Sequence, residues 1–66
     1  MLYKRILAFC REHGISIACF EKMCGIGNGT VKRWTYKSPS LRSLIKISRA
    51  TRVPLEFWLN GVDYEP

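Results

Sequence analysis

Residues 25–34 read Gly25-Ile26-Gly27-Asn28-Gly29-Thr30-Val31-Lys32-Arg33-Trp34. Glycines crowd the first half of this stretch; two cations and a tryptophan fill the second. It is either a glycine loop that cradles a nucleotide phosphate or a turn that launches a helix. A dinucleotide fingerprint needs Gly-x-Gly-x-x-Gly directly after a strand. Here Thr30 holds the third glycine's place, and the preceding residues have helical spacing. A P-loop ends in Gly-Lys-Ser/Thr, where this chain has Gly29-Thr30-Val31. The phosphate-loop reading fails on spacing and on context.

The turn reading accounts for the stretch residue by residue. Gly25 follows a short helix where the backbone must take a positive φ, which glycine does without steric cost. Ile26 plugs the core, and Gly27 is expected to cap the next helix. Val31 and Trp34, three apart, point inward. Asn28, Gly29, Thr30, Lys32 and Arg33 are left for the outer side. Asn reads adenine bidentately and Arg or Lys reads guanine in a major groove. The helix N-terminus would also suit a phosphate.

Working outward, four further helices emerge. Leu2, Ile6, Phe9, Cys10 and His13 recur at helical spacing before Gly14, predicting a helix over 2–13. Ser16 caps a helix over 17–24, whose apolar side is Phe20, Met23 and Cys24. The helix launched by the glycine stretch is expected over 28–36. Lys37-Ser38-Pro39 breaks the pattern, and Ser40 caps a helix over 41–51. Pro54 precedes a short helix over 55–59, stopped by Asn60-Gly61. No stretch alternates with period two at useful length. The expected fold is all-α, a compact five-helix domain over 1–61 with its helix-turn-helix at 16–36, and residues 62–66 form an acidic tail.

The chain has 66 residues, a formal charge of +6 and a pI near 9.7. Such a balance favours an anionic partner, nucleic acid first and an acidic membrane surface second. Between residues 22 and 55 the basic residues are Lys22, Lys32, Arg33, Lys37, Arg42, Lys46, Arg49 and Arg52, with no acid among them. The acids lie outside, at Glu12, Glu21, Glu56, Asp63 and Glu65. A merely soluble surface mixes the signs. Arg11 and Glu12 interrupt the apolar run at the start too early for a signal peptide, and no stretch is long enough to span a bilayer. The three cysteines, odd in number, point to a reducing cytoplasm.

Other constellations carry less chemistry. Cys10, Cys19, Cys24 and His13 match a zinc site in number, yet Cys19 and Cys24 would face about 140° apart on a helix, and no Cys-x-x-Cys exists. We read them as small thiols without metal. One histidine and no facing carboxylates leave no acid–base machinery, so no enzyme is expected. His13 reads as a helix-end residue favoured by the dipole. Phe57, Trp58 and Leu59 are three large apolar residues on one short helix, more than that helix can bury in its own domain. Trp58 is therefore expected at the surface, and the trio as a dimer contact.

The residues just quoted carry a family likeness. Phe20-Glu21, then Gly25-Ile26-Gly27-Asn28-Gly29-Thr30, Val31 and Trp34 follow a pattern of Leu-Glu, three residues, Gly-Ile-Gly-Asn-Gly-Thr, an aliphatic residue, two residues and Trp. That pattern belongs to one branch of the phage-repressor helix-turn-helix family, of Cro and xenobiotic-response-element type, which residues 16–34 resemble. Pro39-Ser40-Leu41, Leu44, Lys46-Ile47, Val53 and Leu55-Glu56-Phe57 resemble the family's last two helices. The likeness covers about residues 6–61. It implies a lambda-repressor-like DNA-binding fold in which 27–36 is the recognition helix. Three pairs of residues depart from the pattern. Ile17 and Ala18 stand where many members have a polar residue that touches DNA, leaving Ser16 and the backbone amides. Cys10 and Thr35 replace a buried Arg–Glu pair, and losing both together strands no charge. Thr51-Arg52 replaces Leu-Gly, and a left-handed Arg costs about 1 kcal/mol relative to Gly.

We therefore expect a sequence-specific DNA-binding transcriptional regulator of phage or mobile-element type. Asn28, Gly29, Thr30, Lys32 and Arg33 would face bases; Ser16, Ile17, Lys37, Ser38, Ser40 and Arg42 would hold phosphates. The partner would be double-stranded DNA, bound by a homodimer through Phe57, Trp58 and Leu59. No cofactor, metal, membrane or small-molecule ligand is expected, and the protein would act in a bacterial cytoplasm, on the nucleoid when bound. The rival reading is a helix-turn-helix scaffold used to bind protein, as an anti-repressor or regulatory subunit, with weak or no specific DNA binding.

Overall fold

The computed structural model of the chain describes residues 2–60. Gly61 and the acidic tail expected over 62–66 lie outside the described residues. Five helices follow in order: α1 (Leu2–His13), α2 (Ile17–Cys24), α3 (Thr30–Arg33), α4 (Leu41–Thr51) and α5 (Leu55–Leu59), with no strand among the described residues.

Local chemistry sets most of these bounds. In α1 the buried residues Leu2, Ile6 and Cys10 recur every four positions, so one stripe faces inward. Two glycine–isoleucine pairs end α1 and α2 by the same device. The Gly25 N–H donates to the Lys22 carbonyl at 3.2 Å and the Ile26 N–H to the Glu21 carbonyl at 3.0 Å, with Gly25 left-handed at φ 72°. These two bonds close the last carbonyls of α2, and the following isoleucine packs against the core. At α1 the Gly14 N–H meets Arg11 and the Ile15 N–H meets Cys10 in the same pattern. Ser16 opens α2 by accepting from the Cys19 N–H at 3.0 Å, and Ser40 opens α4 by accepting from the Ser43 N–H at 3.2 Å.

Two expectations need correction. The third helix does not span 28–36, and Gly27 does not cap it. Gly29, left-handed at φ 85°, immediately precedes a helix of only four residues. The Thr30 N–H reaches back to the Gly27 carbonyl, closing a turn first. After Arg33 the amides of Trp34, Thr35 and Tyr36 bond carbonyls three residues back, which tightens the end of the segment into turns.

The second correction concerns Trp58, which is wholly buried. Adjacent helical residues point about 100° apart, so α5 sends one of its three large side chains straight inward. α5 packs against both α4 and α1, and the indole fills the space between them. Its ring lies edge-on to Phe9 at 5.7 Å and Phe20 at 6.2 Å, and its N–H donates to the Thr51 hydroxyl at 3.3 Å. Phe57 stays 42% exposed and Leu59 half-buried. The trio is shared between core and surface instead of forming one outward patch.

The core also holds Phe20, Ile6, Leu44, Ile47 and Val31, all fully enclosed. The radius of gyration is 10.8 Å, close to the roughly 11 Å expected of a compact chain this long. α4 ends on Arg52 at φ 58°, the one non-glycine left-handed residue among those described. The left-handed position read from the sequence is therefore real.

Candidate nucleic-acid interface

The site is organised by a carboxylate. Glu21, on α2, is 3% exposed. One oxygen accepts from the Gly29 N–H at 3.1 Å and the other from the Val31 N–H at 2.9 Å. A four-residue helix cannot hold its own position by internal hydrogen bonds. Here two amides at its start are clamped to the preceding helix, while Val31 and Trp34 plug the core beneath it. A carboxylate at a helix N-terminus is also favoured by the dipole. Glu21 was visible in the sequence as a motif residue, but its reach across the turn was not.

This clamp revises two expected roles. The Val31 amide is held by Glu21 and the Thr30 amide by the Gly27 carbonyl, so neither is open to cradle a phosphate. Gly29 turns its N–H inward to the same carboxylate and supplies the left-handed bend, so this amide is not open to a base.

With its start fixed, α3 presents a defined outer side. Asn28, Lys32 and Arg33 are exposed, and Thr30 is half-buried. Thr30 Oγ1 would sit only 3.1 Å from a Cβ at Gly27, so the turn is tight there. Lys22 joins Asn28 along an open cleft between α2 and the turn, lined also by Ala18, Glu21 and Ile26. Sequence reasoning did not single out Lys22 as a site residue; its place as the first cation of the acid-free window was the available signal.

The residues expected to hold phosphates lie on the flanks of this segment. At the start of α2, Ser16 is exposed and its hydroxyl caps Cys19. The amides of Ile17 and Ala18, first in the helix, have no intrahelical acceptor. The Ile17 side chain packs partly against the core and Ala18 is exposed. Lys37, Ser38 and Arg42 are exposed beyond α3. Ser40 is more committed than expected. Its hydroxyl accepts from Ser43 N–H and donates to Ser43 Oγ at 3.0 Å.

All eight cations of the acid-free window are exposed. Glu21 borders that window, and the Gly29 and Val31 amides occupy its carboxylate. Every charged side chain exposed in this window is therefore positive, and with the Asn28 amide and the Thr30 hydroxyl the window holds the group types that read base edges and phosphates.

Other candidates resolve structurally. Cys10 is buried with its thiol 3.9 Å from the Ser16 carbonyl, and Thr35 is exposed with its hydroxyl on the Lys32 carbonyl. Burial, and then the neighbouring Cys19, push the Cys10 thiol upward; burial chiefly, with Cys10 beside it, pushes Cys24 to about 11. No trio of His, Cys, Asp or Glu gathers at metal-binding distance among the described residues. His13 is exposed and stacks on Phe9 at 4.2 Å. No helix among the described residues is long and apolar enough to cross a membrane.

Comparison with curated proteins and with solved structures finds no match. The sequence profile of the helix-turn-helix family matches residues 6–58. That span holds the capped α2, the glycine turn, the clamped α3 and the two helices that pack behind them. The chain belongs to the Cro and xenobiotic-response-element type of helix-turn-helix family, a family of regulators that bind double-stranded DNA.

Proposed function

We propose that this chain is a sequence-specific transcriptional regulator of phage or mobile-element type that inserts α3 and its flanking turns into a DNA major groove. The observation that carries this reading is the exposed Asn28, Lys32 and Arg33 on a segment locked by the buried Glu21. A rigid short helix pays little ordering entropy on binding, which favours discrimination between base pairs. In this reading Asn28, Thr30, Lys32 and Arg33 face bases. Ser16, the Ile17 amide, Lys37, Ser38 and Arg42 hold the backbone and set the register.

One small module buries too little surface for tight specific binding at physiological salt. Two copies on a palindrome would place their recognition helices about 34 Å apart. Phe57, exposed, and Leu59, half-buried, remain the candidates for that contact; Trp58 does not, because it is core.

A second reading, a scaffold that binds protein, draws on exposed apolar groups. Ala18 stands open at the start of α2, and Met23 and Phe57 are also exposed. A gel shift with random-sequence duplex at about 50 and 200 mM salt separates the two, since phosphate contacts weaken binding steeply over that range. Binding that falls steeply with salt supports the regulator. Absence of binding at both concentrations supports the scaffold.

A further inference from the structure

α4 continues beyond Arg42, which the regulator reading places on the DNA backbone, with two cations that the reading segment does not use, Lys46 and Arg49. Arg42, Lys46 and Arg49 are all exposed on it. At the helical period these three lie within about 60° of one another around the axis and span about 10 Å along it. The helix has no acidic residue at all: its sequence is LRSLIKISRAT. The stripe therefore has no partner at i+3 or i+4 on its own helix.

Helix stability does not explain it. A cation in the last turn, such as Arg49, suits the dipole, but Arg42 sits in the first turn, where the dipole opposes it and no acid compensates. The middle of the stripe is tied to the reading unit, because Lys46 Nζ donates to the Gly25 carbonyl at 3.4 Å. Gly25 opens the turn into α3. The stripe thus adjoins the helix-turn-helix unit, and Lys37 and Arg42 lead into it from the α3 end. Duplex DNA carries one charge per 3.4 Å of axis on each strand, so about 10 Å of axis carries about three phosphates per strand, enough to meet three cations.

We propose that Arg42, Lys46 and Arg49 form a phosphate track that holds the flank of the same duplex, beyond the base pairs read by α3. This rests on the regulator reading above. The track lengthens the footprint of one protomer without adding base contacts, and it raises the salt dependence of binding to long DNA.

The test compares wild type with the Lys46→Gln/Arg49→Gln double variant, leaving Arg42 in place. Two duplexes carry the same selected site, one of about 30 base pairs and one trimmed to about 10. Each phosphate contact is worth about 3.5-fold in affinity between roughly 50 and 200 mM salt. On the long duplex the wild type should lose about 12-fold more affinity over that range than the variant. On the trimmed duplex the two should lose equally. The charge-conserving Lys46→Arg/Arg49→Lys variant should behave as wild type, and a melting curve checks that each variant is folded. Equal salt loss on the long duplex overturns the proposal. A difference that persists on the trimmed duplex also overturns it, by moving these cations into the reading footprint. So does a wild type that holds two duplexes where the variant holds one, since the track would then bridge DNA segments. Wild type that binds the trimmed site but shows no track leaves the regulator reading standing; wild type that binds neither duplex sinks both.

Discussion

Replacing Glu21 with alanine tests the clamp on which the reading segment depends. The carboxylate is 3% exposed and accepts two backbone hydrogen bonds, a buried one from Val31 at 2.9 Å and a partly buried one from Gly29 at 3.1 Å. Hydrogen bonds to a charged group contribute about 1.5–3 kcal/mol each. The Val31 amide loses its acceptor in a dry place and should suffer most of that range. The Gly29 amide lies nearer solvent, where water can take the vacant place at little loss. Relief from holding a carboxylate away from water offsets part of the sum. The net expected for Glu21→Ala is about 2–3 kcal/mol, against a total of roughly 3–10 kcal/mol for a chain of this size. Urea denaturation measures it directly, and the melting temperature should fall by roughly 15–20 °C. Hydrogen exchange at the Val31 amide should quicken more than exchange at Ile47, which the clamp does not touch. Glu21→Gln keeps one acceptor but turns an NH₂ group toward an amide, so it should lie between wild type and alanine. A loss below about 0.5 kcal/mol, with Val31 exchange unchanged, would show that α3 is held by Val31 and Trp34 packing alone.

Trp58→Ala should cost about 3–5 kcal/mol and leave much of the chain unfolded, whereas Phe57→Ala should cost about 1–2 kcal/mol, because Phe57 is 42% exposed and gives up an edge-on contact to Trp58 at 5.0 Å and the Arg5 guanidinium at 4.7 Å; paired urea melts check both, and a mild effect at Trp58 would contradict its burial. Arg52→Gly should stabilise by up to about 1 kcal/mol, since glycine takes φ 58° without the Cβ penalty; a destabilisation would mean that the Arg52 side chain makes a contact worth more than the strain. Cys24, raised from 9.0 to about 11 in the fold, is protonated in both states below pH 9, ionises first in the unfolded chain, and so costs stability as pH rises from 9 through about 11; Cys24→Ala melts should show a smaller alkaline fall, Cys10 supplying the remainder, and a wild type whose melting temperature holds flat to pH 11 contradicts the assignment.

Residues whose roles are local were legible from the sequence. Ser16 and Ser40 cap, Gly14 and Gly25 terminate, and the Leu2–Ile6–Cys10 stripe sets the face of α1. The bounds of α1, α2, α4 and α5 follow from these short-range rules. The failures were long-range. The spacing of Val31 and Trp34 suits a helix over 28–36, yet Glu21 draws two amides toward α2, Gly29 bends left-handed, and only four residues remain helical. Burial of Trp58 depends on α1 and α4 closing on it from two sides with Thr51 waiting for its N–H, none of which is written in residues 55–59. At the site, exposure of Asn28, Lys32 and Arg33 was readable from period alone. The inward turn of the Gly29 amide and the internal commitment of the Ser40 hydroxyl were not, because each depends on a partner that only the fold supplies.

The central claim is that α3 reads sequence. The direct measurement is selection of bound duplexes from a random pool, run in parallel for wild type and Arg33→Ala at one salt concentration. Wild type should enrich a defined motif. Arg33→Ala should enrich the same motif with preference relaxed at one base pair, at a cost of about 1–3 kcal/mol on the full site. No enriched motif for wild type, or uniform weakening by Arg33→Ala across all sequences, would contradict base reading by this helix.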